Sequence, residues 1–302
     1  MRSMSSAFAR ASASLARHPE VRRASRVAVA QMTSTDARET NMRCIRDLCA
    51  AARDAKCDAL FLPEGFSFIG RVGRDGVKAA ETLDGSTVRD AEALAREYAL
   101  WISCGGFPEA IANGDGTRRY NTHVMISPEC GRVGEAYRKM HLFDVDVPNG
   151  AVVRESEYTV AGEALTSHVT PFGNVGVSIC YDIRFPDVYQ ALRFDHSADI
   201  IIAPSAFTKP TGAAHWETLL RARAIETQCY VIAAAQCGKH SESRESYGHA
   251  MIIDPWGKIL AECDGETTGI AVADVSIDYI DEIRAKIPLA AHRRDVRRSS
   301  AS

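Results

Sequence analysis

The stretch GVSICYDIRFPD, residues 176–187, changes abruptly from an apolar run to a polar segment. Its first half belongs to VGVSIC (175–180), which predicts a buried strand that ends on a cysteine. Pro186 is suited to the first turn of a following helix, because the N–H that proline lacks would have no helical partner there. Ligands of α/β proteins bind at the ends of buried strands, so Cys180 is a candidate functional thiol.

Apolar runs of similar length flank this strand and predict the rest of a layered α/β domain. They are residues 26–32, 58–64, 100–107, 121–127, 199–205, 229–235, 249–254 and 269–275. Their Val, Ile and Ala content is not interrupted by polar alternation, which predicts burial on both faces of each strand. Helical periodicity is found in residues 88–98, 188–196 and 213–227. Two hairpins, with turns at residues 128–131 and 173–174, predict a mixed sheet.

The ends of the chain differ in composition from this predicted domain, which extends from about residue 26 to residue 290. Residues 1–25 are rich in Arg, Ser and Ala, and their first acidic residue is Glu20. This composition is typical of a mitochondrial transit peptide and equally compatible with a disordered tail. Residues 291–302 are predicted to form a C-terminal tail. We therefore expect a cytoplasmic protein, a mitochondrial protein, or one found in both compartments.

The overall composition favours small-molecule chemistry. The formal net charge of −3, from 36 basic and 39 acidic side chains, creates no overall field that would attract nucleic acid or an anionic membrane. No apolar run approaches the roughly 20 residues of a membrane-spanning helix. The nine cysteines include no CxxC pair and indicate neither a disulfide framework nor a zinc ribbon, so we expect a reducing compartment. We expect a small-molecule substrate, with no nucleic acid and no membrane among the partners.

Motifs for cofactors are also missing from the sequence. No His-Glu-x-x-His, CxxC or Asp-rich loop is present, so we expect no metal. GxGxxG and P-loop motifs are absent as well, so we expect no organic cofactor. The glycine-rich piece GRVGRDG (70–76) is predicted to form the edge or lid of a pocket rather than a phosphate cradle.

Polar residues stand at three places where an apolar pattern stops: Glu64, Lys139 and Cys180. If these places converge, the side chains supply a base, a cation and a nucleophile. A thiol with a pKa of about 8.5 needs a proton acceptor, and a carboxyl with a pKa of about 4.3 is too weak a base by roughly 4 units. We therefore expect burial to raise the pKa of Glu64, and Lys139 to favour the thiolate and to bind the oxyanion. The backbone N–H of Tyr181 is the predicted second oxyanion donor.

Each of these residues also has a structural interpretation. Cysteine is among the most buried residue types, so Cys180 could be an ordinary core side chain. Lys139 follows Arg138, and such a basic pair is typical of a solvated surface. Spacing alone does not decide between the two interpretations.

Five segments of the chain resemble the successive signature blocks of the nitrilase superfamily of carbon–nitrogen hydrolases. They are LPEGFSFIG (62–70), YRKMHLFDVDVP (137–148), SICYDIRFPDVYQALR (178–193), AHWETLLRARAIETQCYVIAAAQCG (214–238) and SYGHAMIIDPWG (246–257). They occur in the order typical of the family, and the resemblance extends from about residue 26 to about residue 294.

The resemblance implies a fold and a set of catalytic roles. The fold is a four-layer α-β-β-α sandwich with two mixed sheets, assembled as a homodimer or a larger even homo-oligomer. Glu64 is implied to be the general base, Lys139 the oxyanion-stabilising cation and Cys180 the nucleophile. Glu155, in VRESEYT (153–159), matches a second glutamate of the family that positions the lysine and the substrate.

The segment around the nucleophile has implied supporting residues. Asp182 and Arg184 are expected to form hydrogen bonds that shape the turn carrying the thiol. Tyr181, His215 and Trp216 are candidate substrate-binding residues. The last two open the predicted 213–227 helix, whose N-terminus could meet a carboxylate. The alternative is that Trp216 belongs to the core and that His215 is a capping or buried, hydrogen-bonded residue.

Within the superfamily the chain is most similar to the branch of deaminated glutathione amidases. HWETLLRARAIETQCYVIAAAQCGKH (215–240) and the following SYGHAMIIDPWG carry this likeness. It implies a thiol amidohydrolase that cleaves deaminated glutathione through a thioester to 2-oxoglutarate and cysteinylglycine. An omega-amidase or N-carbamoyl amidohydrolase with the same triad is the alternative enzyme, and a catalytically silent interaction protein is the alternative outside enzymology.

Overall fold

The computed structural model describes residues 22, 24–71, 73–146 and 152–294. Most of the predicted N-terminal segment (1–25) and of the predicted C-terminal tail (291–302) therefore lies outside the described residues, as does the segment 147–151. The first strand begins at Ala24, two residues before the predicted start of the domain.

The described residues form sixteen strands, seven α-helices and two 3₁₀ turns. The strands are β1 (Ala24–Met32), β2 (Ala59–Phe61), β3 (Trp101–Ala110), β4 (Arg119–Ser127), β5 (Gly131–Arg138), β6 (Asp144–Asp146), β7 (Val152–Arg154), β8 (Ser167–Thr170), β9 (Gly173–Val177), β10 (Ile200–Ile202), β11 (Tyr230–Ala233), β12 (Ala235–Lys239), β13 (Glu245–Tyr247), β14 (Met251–Ile253), β15 (Ile259–Glu262) and β16 (Gly269–Ser276). The helices are α1 (Arg38–Asp54), α2 (Asp75–Lys78), α3 (Ser86–Tyr98), α4 (Pro186–Phe194), α5 (Lys209–Thr227), α6 (Ile277–Lys286) and α7 (Leu289–His292). The 3₁₀ turns span Glu155–Glu157 and Cys180–Arg184.

Two large mixed sheets organise the described strands. The first has the order β13-β12-β1-β2-β3-β4-β5, with β16 also paired to β1, and the second has the order β15-β14-β11-β10-β9-β8. Parallel pairing in the centre, such as Ala59 opposite Trp101, gives way to antiparallel hairpins at the edges, such as Ser167 opposite Gly176. Both predicted hairpins are present as β4–β5 and β8–β9, but the second turns at residues 171–172 rather than at 173–174, which already pair with β8.

Alternation along the strands divides the buried side chains into layers. On β1, Val27 and Val29 face the second sheet and pack in one cluster with the side chains of β9, β10 and β11. Ala28 and Ala30 point the other way and pack against α1 and α3. On the far side, a side chain added at Gly176 of β9 would meet Leu192 of α4. The order helix, sheet, sheet, helix confirms the predicted four-layer α-β-β-α sandwich.

Two sequence expectations about the elements are wrong. The strand predicted at 269–275 is only half-buried through most of its length, because β16 pairs with β1 alone among the described strands and its other edge is open. The helix predicted from 213 begins four residues earlier, at Lys209, since Pro210 is well placed in a first turn, where no N–H partner is needed.

No helix formed by the described residues has both the length and the apolar character needed to cross a bilayer.

A buried pair of histidines links the two sheets. His123 of β4 and His168 of β8 are almost completely buried, and their ring centres lie 5.9 Å apart. Nε2 of His123 lies 2.9 Å from the hydroxyl oxygen of Ser103. Burial lowers the pKa of His168 to about 4 and lowers the pKa of His123 well below its usual value, with the neighbouring His168 adding to the effect on His123.

This pair predicts sensitivity to acid. A histidine in the unfolded chain has a pKa of about 6.5. Below that pH the unfolded chain binds protons that the buried histidines of the folded protein do not bind, so the free energy of unfolding falls as the pH is lowered. His168 alone accounts for about 3 kcal/mol between pH 6.5 and about pH 4. In denaturant unfolding from about pH 7 to about pH 5, His168→Gln is expected to lose less stability than the wild-type protein. The exposed control His292→Gln should keep the wild-type slope, and an unchanged slope in His168→Gln would contradict the assignment.

Candidate active site

Four side chains from both large sheets and their connections meet at one point. Glu64 follows β2, Lys139 follows β5, Glu155 opens the first 3₁₀ turn and Cys180 opens the second. Lys139 Nζ lies 3.0 Å from Oε1 of Glu64 and 2.9 Å from Oε2 of Glu155. The Cys180 thiol lies within hydrogen-bonding reach of the Glu64 carboxylate. The structure thus brings together all four residues that the sequence singled out for chemistry.

Lys139 is buried to 2% exposure between the two carboxylates, whereas its neighbour Arg138 points to the other face of the sheet and pairs with Glu109. The alternation of a strand places two consecutive cations on opposite faces, and only one reaches the site. Lys139 is therefore not the solvated surface charge that the basic pair would suggest.

Asn121 of β4 links the two carboxylates from one side. Its Nδ2 donates to Oε1 of Glu64 at 2.8 Å and to Oε1 of Glu155 at 3.5 Å. A Cβ added at Gly106 would lie 2.0 Å from the Asn121 side chain, so a glycine is required where the two strands pass. Asn121 was not among the predicted site residues, although a polar residue at the start of the apolar run NTHVMIS was a usable signal.

The backbone fixes the second oxygen of Glu64. The N–H of Ala206 donates to Oε2 at 3.1 Å, and the side-chain amide of Gln236 donates to the Glu64 carbonyl at 3.0 Å. Both oxygens of Glu64 are therefore held, which orients the carboxylate toward the thiol.

Cys180 has a φ of +48°, in the left-handed region that non-glycine residues rarely adopt. Such a conformation costs of order 1–3 kcal/mol and persists only where the surrounding structure imposes it. Here the Cys180 N–H donates to the Pro204 carbonyl at 2.9 Å. The turn aims the thiol away from its strand and toward Glu64.

Asp182 holds this turn, as the sequence predicted. Its carboxylate accepts from the N–H of Ile179 at 2.9 Å, the hydroxyl of Tyr137 at 2.6 Å and the N–H of His141 at 2.9 Å. Pro186 lies in the first turn of α4, which is also confirmed.

The expectation that Arg184 helps to shape the turn is wrong. Its side chain lines the cavity in front of the thiol, with Nη1 3.3 Å from Nδ1 of His215 and the guanidinium carbon 5.4 Å from the centre of the Phe207 ring. Arg223 of α5 supports the turn instead, donating from Nε and Nη2 to the Ile183 carbonyl at 2.9 and 2.7 Å. A buried arginine on a helix 40 residues away in sequence gives no signal that periodicity could detect.

The electrostatics of the site contradict the expected pKa of Glu64, while Lys139 favours the thiolate as expected but is outweighed. Burial raises the pKa of Glu64, but the Lys139 ammonium and the hydrogen bonds that the carboxylate accepts outweigh burial, so the pKa lies below its usual value. Burial, and then the Glu64 carboxylate, raise the pKa of Cys180 above its usual value, although Lys139 acts in the opposite direction. Burial lowers the pKa of Lys139, yet Glu155 and Glu64 raise it well above its usual value. Without substrate, Cys180 is therefore a neutral thiol and Glu64 is an ionised carboxylate.

The four residues face a cavity of about 780 Å³. This volume lies in the range of sites that enclose drug-sized ligands. Tyr181 lines the cavity, and so do Gly70, Gly73 and Gly76 of the glycine-rich piece, which confirms the prediction that this piece forms a pocket edge.

His215 and Trp216 do not line this cavity. Trp216 is 1% exposed, packs on Phe207 with ring centres 4.9 Å apart, and donates from Nε1 to the His249 carbonyl. His215 is exposed, in the seventh position of α5 rather than at its N-terminus. The substrate-binding assignment of both is therefore corrected: Trp216 is a core residue, and His215 contacts Arg184 from outside the cavity.

Within the described ranges, no cluster of three or more His, Cys, Asp or Glu side chains is arranged to hold a metal ion.

Residues 26–285 match the model of a family described as carbon–nitrogen hydrolases. The chain belongs to the carbon–nitrogen hydrolase family. It is 46% identical to the deaminated glutathione amidase of Bos taurus over 271 residues, which cover 89% of this chain and 81% of that protein. It is 41% identical to the deaminated glutathione amidase of Synechocystis, over 88% of this chain and 97% of that protein.

A solved relative supports the same assignment for this carbon–nitrogen hydrolase. The crystal structure of Nit3 from Saccharomyces cerevisiae, a member of branch 10 of the nitrilase superfamily, superimposes with a TM-score of 0.81 at 29% identity. The match covers 92% of this chain and all of that one. The nitrilase-superfamily assignment and the implied fold are confirmed.

The protonation states of this hydrolase can be tested by alkylation. Because the thiol is neutral at rest, reaction of Cys180 with iodoacetamide, followed by mass spectrometry of its peptide, should rise only above about pH 9. Glu64→Gln removes the charge that raises the pKa of Cys180, so its alkylation profile should shift about one unit or more toward lower pH while hydrolysis is lost.

Glu157→Gln, at the edge of the same cavity, is the matched control and should keep the wild-type alkylation profile. A wild-type Cys180 that reacts at its full rate at neutral pH would show a preformed thiolate and contradict this description of the resting site.

Proposed function

We propose that this chain hydrolyses deaminated glutathione, at the amide that joins the 2-oxoglutaryl group to cysteinylglycine. The observation that carries the proposal is the identity of 46% over 89% of the chain to a protein named deaminated glutathione amidase, together with the buried Glu64–Lys139–Glu155 group that faces the thiol. The cavity of about 780 Å³ has room for a tripeptide-sized amide.

The first half of the reaction forms a thioester. Sγ of Cys180 attacks the amide carbonyl carbon while Glu64 accepts the thiol proton, so a thiolate exists only as the new C–S bond forms. Lys139 Nζ donates to the developing oxyanion, and the N–H of Tyr181 is the proposed second donor. Glu64 then gives its proton to the leaving nitrogen, the C–N bond breaks, and cysteinylglycine departs as a free amine.

The second half of the reaction consumes the thioester. Glu64, again a carboxylate, accepts a proton from the water that attacks the thioester carbon. The C–S bond breaks, the thiol recovers its proton, and 2-oxoglutarate leaves. Glu155 touches neither the thiol nor the attacking water in this scheme; it holds Lys139 in place through the 2.9 Å ion pair.

Turnover of competing substrates tests this function. Purified protein is expected to prefer deaminated glutathione to 2-oxoglutaramate and N-carbamoyl-β-alanine, by kcat/KM. Cys180→Ala should lose about a thousandfold or more, because the nucleophile acts as a unit with its base. Cys130→Ala, which removes an exposed thiol outside the cavity, should keep full activity.

The other outcomes of this experiment are equally informative. A preference for 2-oxoglutaramate would indicate an omega-amidase, and a preference for N-carbamoyl-β-alanine would indicate an N-carbamoyl amidohydrolase, with the mechanism retained. No turnover of any of the three amides would contradict the enzymatic proposal and favour an interaction protein.

The proposal includes assembly as a homodimer or a larger even homo-oligomer. Two large apolar side chains lie exposed and close together outside the α4–α5 layer: Ile225 at 50% and Trp256 at 58% exposure. Gly257 packs directly on Ile225, and Arg221 Nε donates to the Gly257 carbonyl at 2.9 Å, so α5 and the Trp256 turn form one continuous surface. Burial of this patch against a second copy would remove apolar area from water.

Sedimentation velocity tests the oligomeric state. The wild-type protein is expected at twice its 32.9 kDa chain mass or a larger even multiple. Trp256→Glu should shift the distribution toward monomer, because a charge would then be buried at the contact. Val169→Glu, at an equally exposed apolar position on β8, is the control and should leave the assembly intact. A wild-type monomer near 33 kDa would contradict the proposal.

A further inference from the structure

Arg119 and Arg244 are two of the cavity-lining arginines that form no ion pair with a carboxylate among the described residues. Within the described part of the chain, no carboxylate lies within ion-pair distance of Arg119 or Arg244. Three other cations of the cavity have carboxylate partners: Lys139 contacts Glu64 and Glu155, Lys209 pairs with Glu245 at 2.8 Å, and Arg71 pairs with Asp36. Arg154 donates to two carbonyls, and Arg184 contacts His215 beside the thiol. Arg119 and Arg244 therefore leave positive charge available to a ligand.

The neighbouring residues hold the Arg119 guanidinium in a defined position. Its Nη1 donates to the Tyr120 carbonyl at 3.1 Å, while its Nε is fully buried and has no hydrogen-bond partner among the described residues. A Cβ added at Gly76 would lie 2.6 Å from this Nε, so a glycine of the cavity edge allows the guanidinium to pack in place. A buried donor without an acceptor is destabilising. A ligand anion at the part of the guanidinium that faces the cavity would offset the cost of burying the charge.

The position of Arg119 indicates which part of a substrate it meets. Arg119 and Asn121 are two residues apart on β4, so their side chains lie on the same face of the strand. Asn121 donates to Glu64 and Glu155, which places Arg119 beside the carboxylates rather than beside the turn that carries Cys180. Glu64 is the group that returns a proton to the leaving nitrogen, so this side of the cavity is the leaving-group side.

We propose that Arg119 and Arg244 form a binding subsite for a carboxylate at the far end of the leaving group. This inference rests on the proposed function, in which that carboxylate is the terminal one of cysteinylglycine. A guanidinium presents paired N–H donors that match the two oxygens of a carboxylate. Burial lowers the pKa of Arg119, while Glu155, Tyr158 and Glu64 raise it to a smaller extent and Arg244 makes the smallest contribution, a lowering. A bound carboxylate would offset the cost of burying this charge.

A binding measurement that does not need turnover tests the subsite. Calorimetry on Cys180→Ala compares deaminated glutathione with its C-terminal glycinamide form, which lacks only the terminal charge. The free acid is expected to bind about 10- to 100-fold more tightly. Adding Arg119→Gln or Arg244→Gln should bring this ratio close to 1, and Arg119→Lys should retain part of the preference. Arg96→Gln, on the exposed face of α3, is the control and should keep the full ratio.

Two other outcomes would overturn the subsite, and a third would contradict only the proposed function. Equal weakening of both ligands by Arg119→Gln and by Arg244→Gln would show a structural role only. In the Cys180-containing protein, a loss of kcat/KM on 2-oxoglutaramate as large as that on deaminated glutathione would place the recognised carboxylate on the acyl side instead. Failure of the wild-type protein to hydrolyse deaminated glutathione would contradict only the proposed function. The subsite would still be tested by the ratio of the dissociation constants of the glycinamide form and the free acid.

Discussion

The active site depends on one buried ammonium, Lys139, held between the carboxylates of Glu64 and Glu155. Burying three charges is costly unless each finds a partner, and two carboxylates without the lysine would repel each other in a medium that screens poorly. Glu64 and Lys139 follow the ends of two strands and Glu155 opens a 3₁₀ turn, so their contact also fixes how these elements meet. Asn121 and the Ala206 N–H satisfy the remaining carboxylate oxygens, which makes the group compatible with burial.

The same group determines the state of the nucleophile. One ammonium serves two carboxylates, so the site carries a net negative charge before any thiolate forms, and ionising Cys180 would add another. The thiol therefore stays neutral until an electrophilic carbon accepts its electrons and Lys139 gains an oxyanion to stabilise. Glu64 does not need an elevated pKa for this, because the proton is transferred as the C–S bond forms. Because the Cys180 thiol is neutral until a substrate binds, it reacts with the substrate and resists oxidation by other reagents.

Sequence reasoning succeeded where a local pattern reports directly on structure. Continuous runs of Val and Ile identified the buried strands. Polar residues where apolar patterns stop identified Glu64, Lys139 and Cys180, and the family resemblance added Glu155. Sequence reasoning failed where the answer depends on distant partners. The sequence around Trp216 does not show whether its ring faces a ligand or packs on Phe207. The pKa of Glu64 depends on Lys139 and on the hydrogen-bond donors that surround the carboxylate in the folded protein. Arg223 supports the nucleophile turn across 40 residues, a contact that exists only once α5 has packed.

Glycines decide how closely the parts of the cavity approach one another. Gly106 lets Asn121 reach Glu64, and Gly73 accepts the Tyr158 ring at a distance that any Cβ would forbid. Gly76 of α2 does the same for Arg119, because a Cβ there would lie 2.6 Å from its Nε. Because Gly73 and Gly76 abut side chains of the cavity wall and not the group around Lys139, the selectivity of the cavity is separable from the chemistry of the site. The ion-paired group around Lys139 fixes the reaction, and the glycine-lined edge with its unpaired arginines is where substrate choice can vary without disturbing it.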